Sequence, residues 1–227
     1  MKKRNLLVTV FCMGIFFTSC KSEKKEKTNE TTDKEVVVED NFNLAGEFII
    51  DNEASYLNWI GSKPGGSHNG SVAVESGVMT FEDGNLVSGE FTIDMTSINV
   101  KDLDGNEKED LENHLKGTVE GKEDHFFNVQ KFPKSKFKIT NVVVNNGKSK
   151  ITGDLTIKGQ TSEIIFESEV SAGANQEEIK LLSQPFKIDR TKWGIEFMSK
   201  SIFDDLKDKF IDDEIELSIM VKGKKKA

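Results

Sequence analysis

The sequence predicts an all-β domain, an antiparallel sheet closed into a barrel and accompanied by one or two short helices. Three observations carry that prediction. Ile151 to Gly159 alternates apolar or small residues with polar ones at a period of two, the pattern of a half-buried antiparallel strand. The same period returns far along the chain, where Ile215, Leu217, Ile219 and Val221 face one way and Glu214, Glu216, Ser218 and Lys222 the other, with Met220 as the exception. Turn-forming triplets, Asp83-Gly84-Asn85 and Asn145-Asn146-Gly147, separate such runs and read as hairpins. Closing the sheet would remove its edges and leave an apolar interior.

The elements follow in order. Residues 1–20 read as a sorting signal: Lys2, Lys3 and Arg4 precede an apolar stretch from Leu6 to Phe17, and Thr18 and Ser19 stand before Cys20. Phe17-Thr18-Ser19-Cys20 resembles a bacterial lipobox, with Phe17 in place of the usual Leu, which makes Cys20 the expected lipidation site and membrane anchor. The only other cysteine, Cys12, lies inside the signal, so no pair remains for a disulfide in the processed chain. Residues 21–45 are charged and polar and read as a flexible linker. The domain is assigned to residues 46–223.

Within it, strands are expected over Ala54 to Ser62, Ser71 to Glu75, Val78 to Phe81, Leu86 to Met95, Phe137 to Val144 and Lys150 to Lys158. Further strands are expected around Ile164 and Phe166, over Glu178 to Asp189, and over Asp213 to Lys222. Asn106 to Gly117 breaks the period. Leu111 and Leu115 stand four apart among charged residues, and Gly117 closes what reads as a short amphipathic helix covering one mouth of the barrel or packing outside it. Ser201 to Phe210, with Phe203, Leu206 and Phe210, reads as a second helical or turn segment, and Lys222 to Lys226 as a solvated basic end.

The formal net charge is −8, and removing residues 1–20 leaves −11. An acidic domain is a poor partner for nucleic acid, whose binding needs clustered cations. The three histidines, His68, His114 and His125, lack zinc-site spacing, and neither a nucleophile elbow nor a phosphate-binding glycine loop is present. No enzyme, metal or cofactor is therefore expected. Sixteen phenylalanines against one tyrosine and two tryptophans favour an interior without hydroxyls, either filled or able to accept hydrocarbon. Gly61 to Gly70 reads as a glycine-rich connection bringing Ser67, His68 and Asn69 close together, either as a locally hydrogen-bonded hairpin or as a seat for a polar head group.

A series of motifs resembles the YceI-like family over residues 46 to 223. These are Trp59 to Lys63 with Gly66 to Gly70, Gly89 to Ile98, Leu111 to Lys116, His125-Phe126-Phe127, Phe132-Pro133, Gly153 to Thr161 and Ile188 to Ile195. The segment Gly117 to Lys122 departs from the resemblance by lengthening the link before Phe126. The resemblance implies an extended eight-stranded lipocalin-like barrel, in an exported setting, whose lumen binds a polyisoprenoid such as an isoprenoid quinone tail or a polyprenyl phosphate. It supplies no catalytic residues.

Such a lumen is worth about 0.8 kcal/mol for each methylene it buries. Its expected lining is Phe91, Ile93, Phe137, Ile139, Leu155, Ile157, Ile164, Phe166, Phe186, Ile188, Leu217 and Ile219, with Trp59, His68, Phe126 and Phe127 at the mouth. A membrane-anchored carrier or store of an isoprenoid lipid is the leading expectation, and a homodimer is compatible with it. Two alternatives stand beside it: an enzyme acting on a lipid head group through Ser67, His68 or Asp94, and a filled barrel serving as an interaction module.

Overall fold

The computed structural model describes residues 44–227. The expected signal, Cys20 anchor and nearly all of the linker lie outside the described residues. Ten strands follow in sequence: β1 (Gly46–Ile50), β2 (Tyr56–Lys63), β3 (Gly66–Glu82), β4 (Asn85–Val100), β5 (Lys134–Asn145), β6 (Lys148–Ile157), β7 (Gln160–Ala172), β8 (Glu178–Ser183), β9 (Phe186–Asp189) and β10 (Glu214–Lys225). One α-helix, α1 (Gly105–Lys116), lies between β4 and β5.

The expected eight-stranded barrel is corrected on this point. The strands form one extended ten-stranded antiparallel sheet in the order β1-β10-β2-β3-β4-β5-β6-β7-β8, with β9 on β10 and additional pairings of β1 with β3 and of β10 with β8. Part of the difference lies in β1, which buries Phe48 and Ile50 and whose Phe48 pairs both with Met79 of β3 and, across most of the chain, with Lys225 of β10. Part lies at Pro185. It offers no N–H to a ladder and constrains Gln184 before it, so the expected strand from Glu178 to Asp189 is two strands, β8 and β9.

Hairpin turns behave as their residues dictate. Asp83-Gly84, Asn146-Gly147 and Lys158-Gly159 each place two residues at positive φ, 48° and 83°, 50° and 74°, and 49° and 76°, the geometry whose twist matches antiparallel neighbours. The expected glycine-rich connection is instead a tight turn at Pro64-Gly65, with Gly65 at φ +87°, and Ser67, His68 and Asn69 belong to β3, paired with Ser62, Gly61 and Ile60. The runs Ser71 to Glu75 and Val78 to Phe81 are one strand, β3, whose alternation is interrupted by register shifts at Ser71/Ala73 and Val74/Ser76.

The helix ends where glycine ends it. Gly117 has φ 70° and ψ 38°, and its N–H reaches the carbonyls of Asn113 and His114. Of the two readings of Ser201 to Phe210, helix or turn, the structure shows the turn, exposed and with only a three-residue 3₁₀ element, Lys207–Lys209, because Asp205 and Lys207 take positive φ of 66° and 51°. The lysines of the basic end are exposed, but on a strand longer than expected: β10 runs to Lys225, pairs with Phe48 of β1, and Lys226 Nζ meets Glu47 Oε2 at 2.6 Å.

The buried face of the sheet carries the core, from Phe48, Met79 and Phe81 through Phe91, Ile93 and Ile151 to Val221. Gly70 marks a close approach within it. A Cβ there would meet the carbonyl oxygen of Asn99 and lie 2.6 Å from Cζ2 of Trp59. Gly70→Ala is expected to destabilise the protein by at least about 2 kcal/mol, since backbone cannot yield as a side-chain tip does. Denaturant titration of the variant checks this, and a loss below about 0.5 kcal/mol would show that β2 and β3 separate freely here.

Candidate functional site

A cavity of about 290 Å³ lies against the inner face of β2, β3, β4, β5, β6, β9 and β10 and is bordered by α1. Beside it is a smaller one of about 50 Å³, and Leu57, Ile93, Leu155 and Leu217 border both. The filled interior that composition allowed is therefore not what the described residues form.

All sixteen residues expected to line an interior or its mouth border one of these spaces. Trp59, His68, Phe126, Phe127, Ile157 and Ile188 border the larger. Phe91, Phe137, Ile139, Ile164, Phe166, Phe186 and Ile219 border the smaller, and Ile93, Leu155 and Leu217 border both. In the smaller space, the Phe137, Phe166 and Phe186 rings stand 5.7 and 4.8 Å apart in sequence, which narrows it. Period-two alternation located the strand positions because side chains two apart on a strand share a face, whereas Phe126 and Phe127 lie in the loop after α1.

Lining residues that sequence reasoning did not name as such come from strands, among them Leu57, Val72, Met95, Ile98 and Ile215, and from the helix and the connections. Leu111, His114 and Leu115 reach the larger cavity from α1, which is tied to β4 by Glu112 Oε1 accepting from the Val100 N–H at 2.9 Å. Trp193, Ile195, Ile211 and Asp212 reach it from the long connection between β9 and β10. Arg190 holds that connection. Its guanidinium is 1% exposed and donates to the carbonyls of Asp212 at 3.0 Å, Ile195 at 2.7 Å and Ile211 at 3.0 Å, with Asp213 Oδ1 at 3.5 Å. Trp193 fastens the same turn to β6 by donating from Nε1 to the Leu155 carbonyl at 2.9 Å. The sequence offers only a weak signal for this clip, an arginine with Ile188, Trp193 and Ile195 nearby but charged residues beside it.

The lengthened link after α1 has its own ties. His114 Nε2 and His125 Nδ1 share a hydrogen bond of 2.9 Å, and the His125 ring stacks on Phe197 with centroids 3.9 Å apart. Asp124 accepts from Asn128 Nδ2 at 2.9 Å and lies 3.7 Å from Lys158 Nζ in the β6–β7 turn. Burial first, then the His125 and Lys122 charges, hold the His114 imidazole below its ordinary pKa.

The sign of the consequence is fixed. Between the lowered folded value and the unfolded value near 6.5, the unfolded chain binds more protons, so stability falls on acidification through that window and is unaffected above it. His114→Gln is expected to flatten the fall of thermal stability between about pH 6.5 and 5 relative to the unsubstituted protein. Parallel melting curves over that range test it, and an unchanged slope would remove His114 from the account.

The residues expected for head-group catalysis are not assembled. His68 Nδ1 is 2.9 Å from Asp102 Oδ2, whereas Asp94 bonds to Thr96 and ion-pairs with Lys134 at 3.4 Å. Ser67 pairs with Ser62, so strand alternation turns it to the face opposite His68. Among the described residues, no group of three or more His, Cys, Asp or Glu is placed to hold a metal ion.

A YceI-like domain model matches residues 48–222. The chain belongs to the YceI-like family. Curated relatives include UPF0312 proteins of Yersinia pestis, 31% identical over 106 residues, and of Photorhabdus laumondii, 31% identical over 94 residues. The match covers 47% and 41% of this chain, and 50% and 44% of those proteins, so it spans about half the length of the curated relatives or less. Among solved structures of similar fold, BcnA of Burkholderia cenocepacia has a TM-score of 0.59 at 17% identity, covering 76% of this chain and 98% of that one. The YceI protein of Campylobacter jejuni has a TM-score of 0.50 at 25% identity, covering 66% and 81%. A polyisoprenoid binding domain of Saccharophagus degradans has a TM-score of 0.56 at 12% identity, covering 80% and 99%. At 17% and 12% identity, BcnA and the Saccharophagus domain speak for the fold alone.

Proposed function

We propose that the protein binds an isoprenoid lipid, such as an isoprenoid quinone or a polyprenyl phosphate, with its chain in the larger cavity. It stores or carries that lipid as an exported lipoprotein, anchored through Cys20 and given reach by the charged linker. The observation that carries this reading is the cavity itself: about 290 Å³ bordered by Leu57, Val72, Met95, Ile98, Leu155, Ile188 and Leu217, with polar groups that include Lys63, His68, His114, Arg190 and Asp212. That volume sits near the lower end of the range of small-molecule sites, roughly 300–1,000 Å³, and a mostly apolar wall with some polar groups suits one hydrocarbon chain with a polar end. Membership of the YceI-like family supports a lipid ligand, and the Saccharophagus domain that shares the fold is described as polyisoprenoid binding.

Mass spectrometry of an organic extract from gently purified, membrane-derived protein is expected to recover a prenyl lipid. Folded protein that yields no lipid and takes none up from prenyl-lipid micelles would overturn the proposal. Cys20→Ser separately tests the anchor, with the expected result that the protein leaves the membrane fraction and lacks acyl mass.

A further inference from the structure

The paired strands β2 and β3 present one face of their hairpin to the larger cavity. Register places Trp59 opposite Gly70, Gly61 opposite His68, and Lys63 opposite Gly66, so each large side chain faces a glycine. Trp59, Gly61, Lys63 and His68 all border the cavity. A Cβ at Gly61 or Gly66 would meet nothing within 4 Å, so the space in front of His68 and Lys63 is open.

His68 is held in a defined state. Asp102 accepts from the Asn69 N–H with Oδ1 at 2.9 Å and meets His68 Nδ1 with Oδ2 at 2.9 Å. Burial alone would raise the Asp102 pKa, but the Asn69 and His68 hydrogen bonds hold it below the usual range, so the carboxylate only accepts. The Nδ1 atom must then carry a proton. In the neutral ring this leaves Nε2 with its lone pair, an acceptor at the border of an apolar space. Lys63 has no ion-pair partner among the described residues and stands two positions along the same face.

We propose that this hairpin face is a head-group subsite for a hydroxyl-bearing lipid, the hydroxyl donating to Nε2 of His68 and accepting from Nζ of Lys63. The inference rests on the lipid reading above and adds to it the chemistry of the head: an alcohol or quinol, rather than an ether or a bare hydrocarbon.

The experiment compares a short prenyl alcohol, its methyl ether and its phosphate ester in binding titrations on the full chain. The alcohol is expected to bind about five- to tenfold more tightly than the ether, the worth of one hydrogen bond, and His68→Phe is expected to abolish that preference. Asp102→Asn gives a second arm. With the Asn69 N–H on the amide oxygen, its NH₂ turns to Nδ1 and forces the imidazole proton onto Nε2, which can then donate to an ether, so the alcohol-to-ether ratio is expected to fall to about one. Equal binding of alcohol and ether to the unsubstituted protein would overturn the subsite while leaving lipid binding intact. So would a phosphate ester that binds more tightly than the alcohol and is unaffected by His68→Phe. Failure of all three to bind would overturn the lipid reading and the subsite with it.

Discussion

Replacing Arg190 with methionine is expected to destabilise the protein by about 3–5 kcal/mol, the cost of leaving a buried charge partner and several buried carbonyls without their donor. The side chain fills similar space, so the loss reports polar groups rather than volume. Three carbonyls, of Ile195, Ile211 and Asp212, lose their N–H donors together, and Asp213 loses its cation. Burial pushes the guanidinium pKa down, yet Asp213, Asp189 and Asp212 pull it back up, and an arginine stays charged in any such balance. Arg190→Lys is expected to recover only part of the loss, because a single ammonium cannot serve the divergent carbonyls that a planar fork reaches. Denaturant unfolding of both variants measures this. A loss below about 1 kcal/mol in Arg190→Met would mean that the connection from Trp193 to Asp213 is held by its apolar contacts alone.

Leu155→Glu is expected to abolish lipid loading. Leu155 is 6% exposed and borders both cavities, so its replacement sets a carboxylate where a hydrocarbon chain would lie. An unpaired buried charge costs several kcal/mol, and here the bound chain would also have to strip its water. Leu155→Phe separates space from charge. It adds apolar bulk to the shared wall, keeps the Leu155 backbone carbonyl available to Trp193, and is expected to reduce loading while the fold persists. Extraction and mass spectrometry, set beside melting curves, read both effects. Undiminished loading in a folded Leu155→Phe would place the lipid elsewhere.

The inner wall was legible because it is local. Ile93, Leu155, Ile188 and Leu217 reveal their side by alternation, which the pleat enforces whatever the strand pairs with. Gly117 and the Asn146-Gly147 turn were legible for a related reason: positive φ is a demand that few residues meet, so the residue announces the geometry. Architecture was less legible. Phe48 and Ile50 are buried by strands more than thirty and more than a hundred and seventy positions away, a fact their neighbours cannot reveal. Strand count fails for the same reason, and the expectation of eight strands in a barrel gave way to ten in an extended sheet once the partners of β1 and β9 were known. Arg190 is the clearest case in the site. A charged residue reads as surface until the carbonyls that surround it are located, and those lie up to twenty-two positions onward.

Strand β10 is the shared neighbour of β1, β2, β8 and β9. Its pairing with β2 joins positions about 160 residues apart, so no shorter stretch of chain can assemble the arrangement around it. Folding must therefore wait on encounters of very high sequence separation, which places the domain among slow folders on a timescale of roughly milliseconds to seconds. Under the export proposed above, a chain with that delay would stay threadable during transit, and the cavity bordered by α1 would close only once β10 has joined β2. The connectivity thus sets an order of events: the cavity cannot exist before the last strand has found its place, so any guest must come after it.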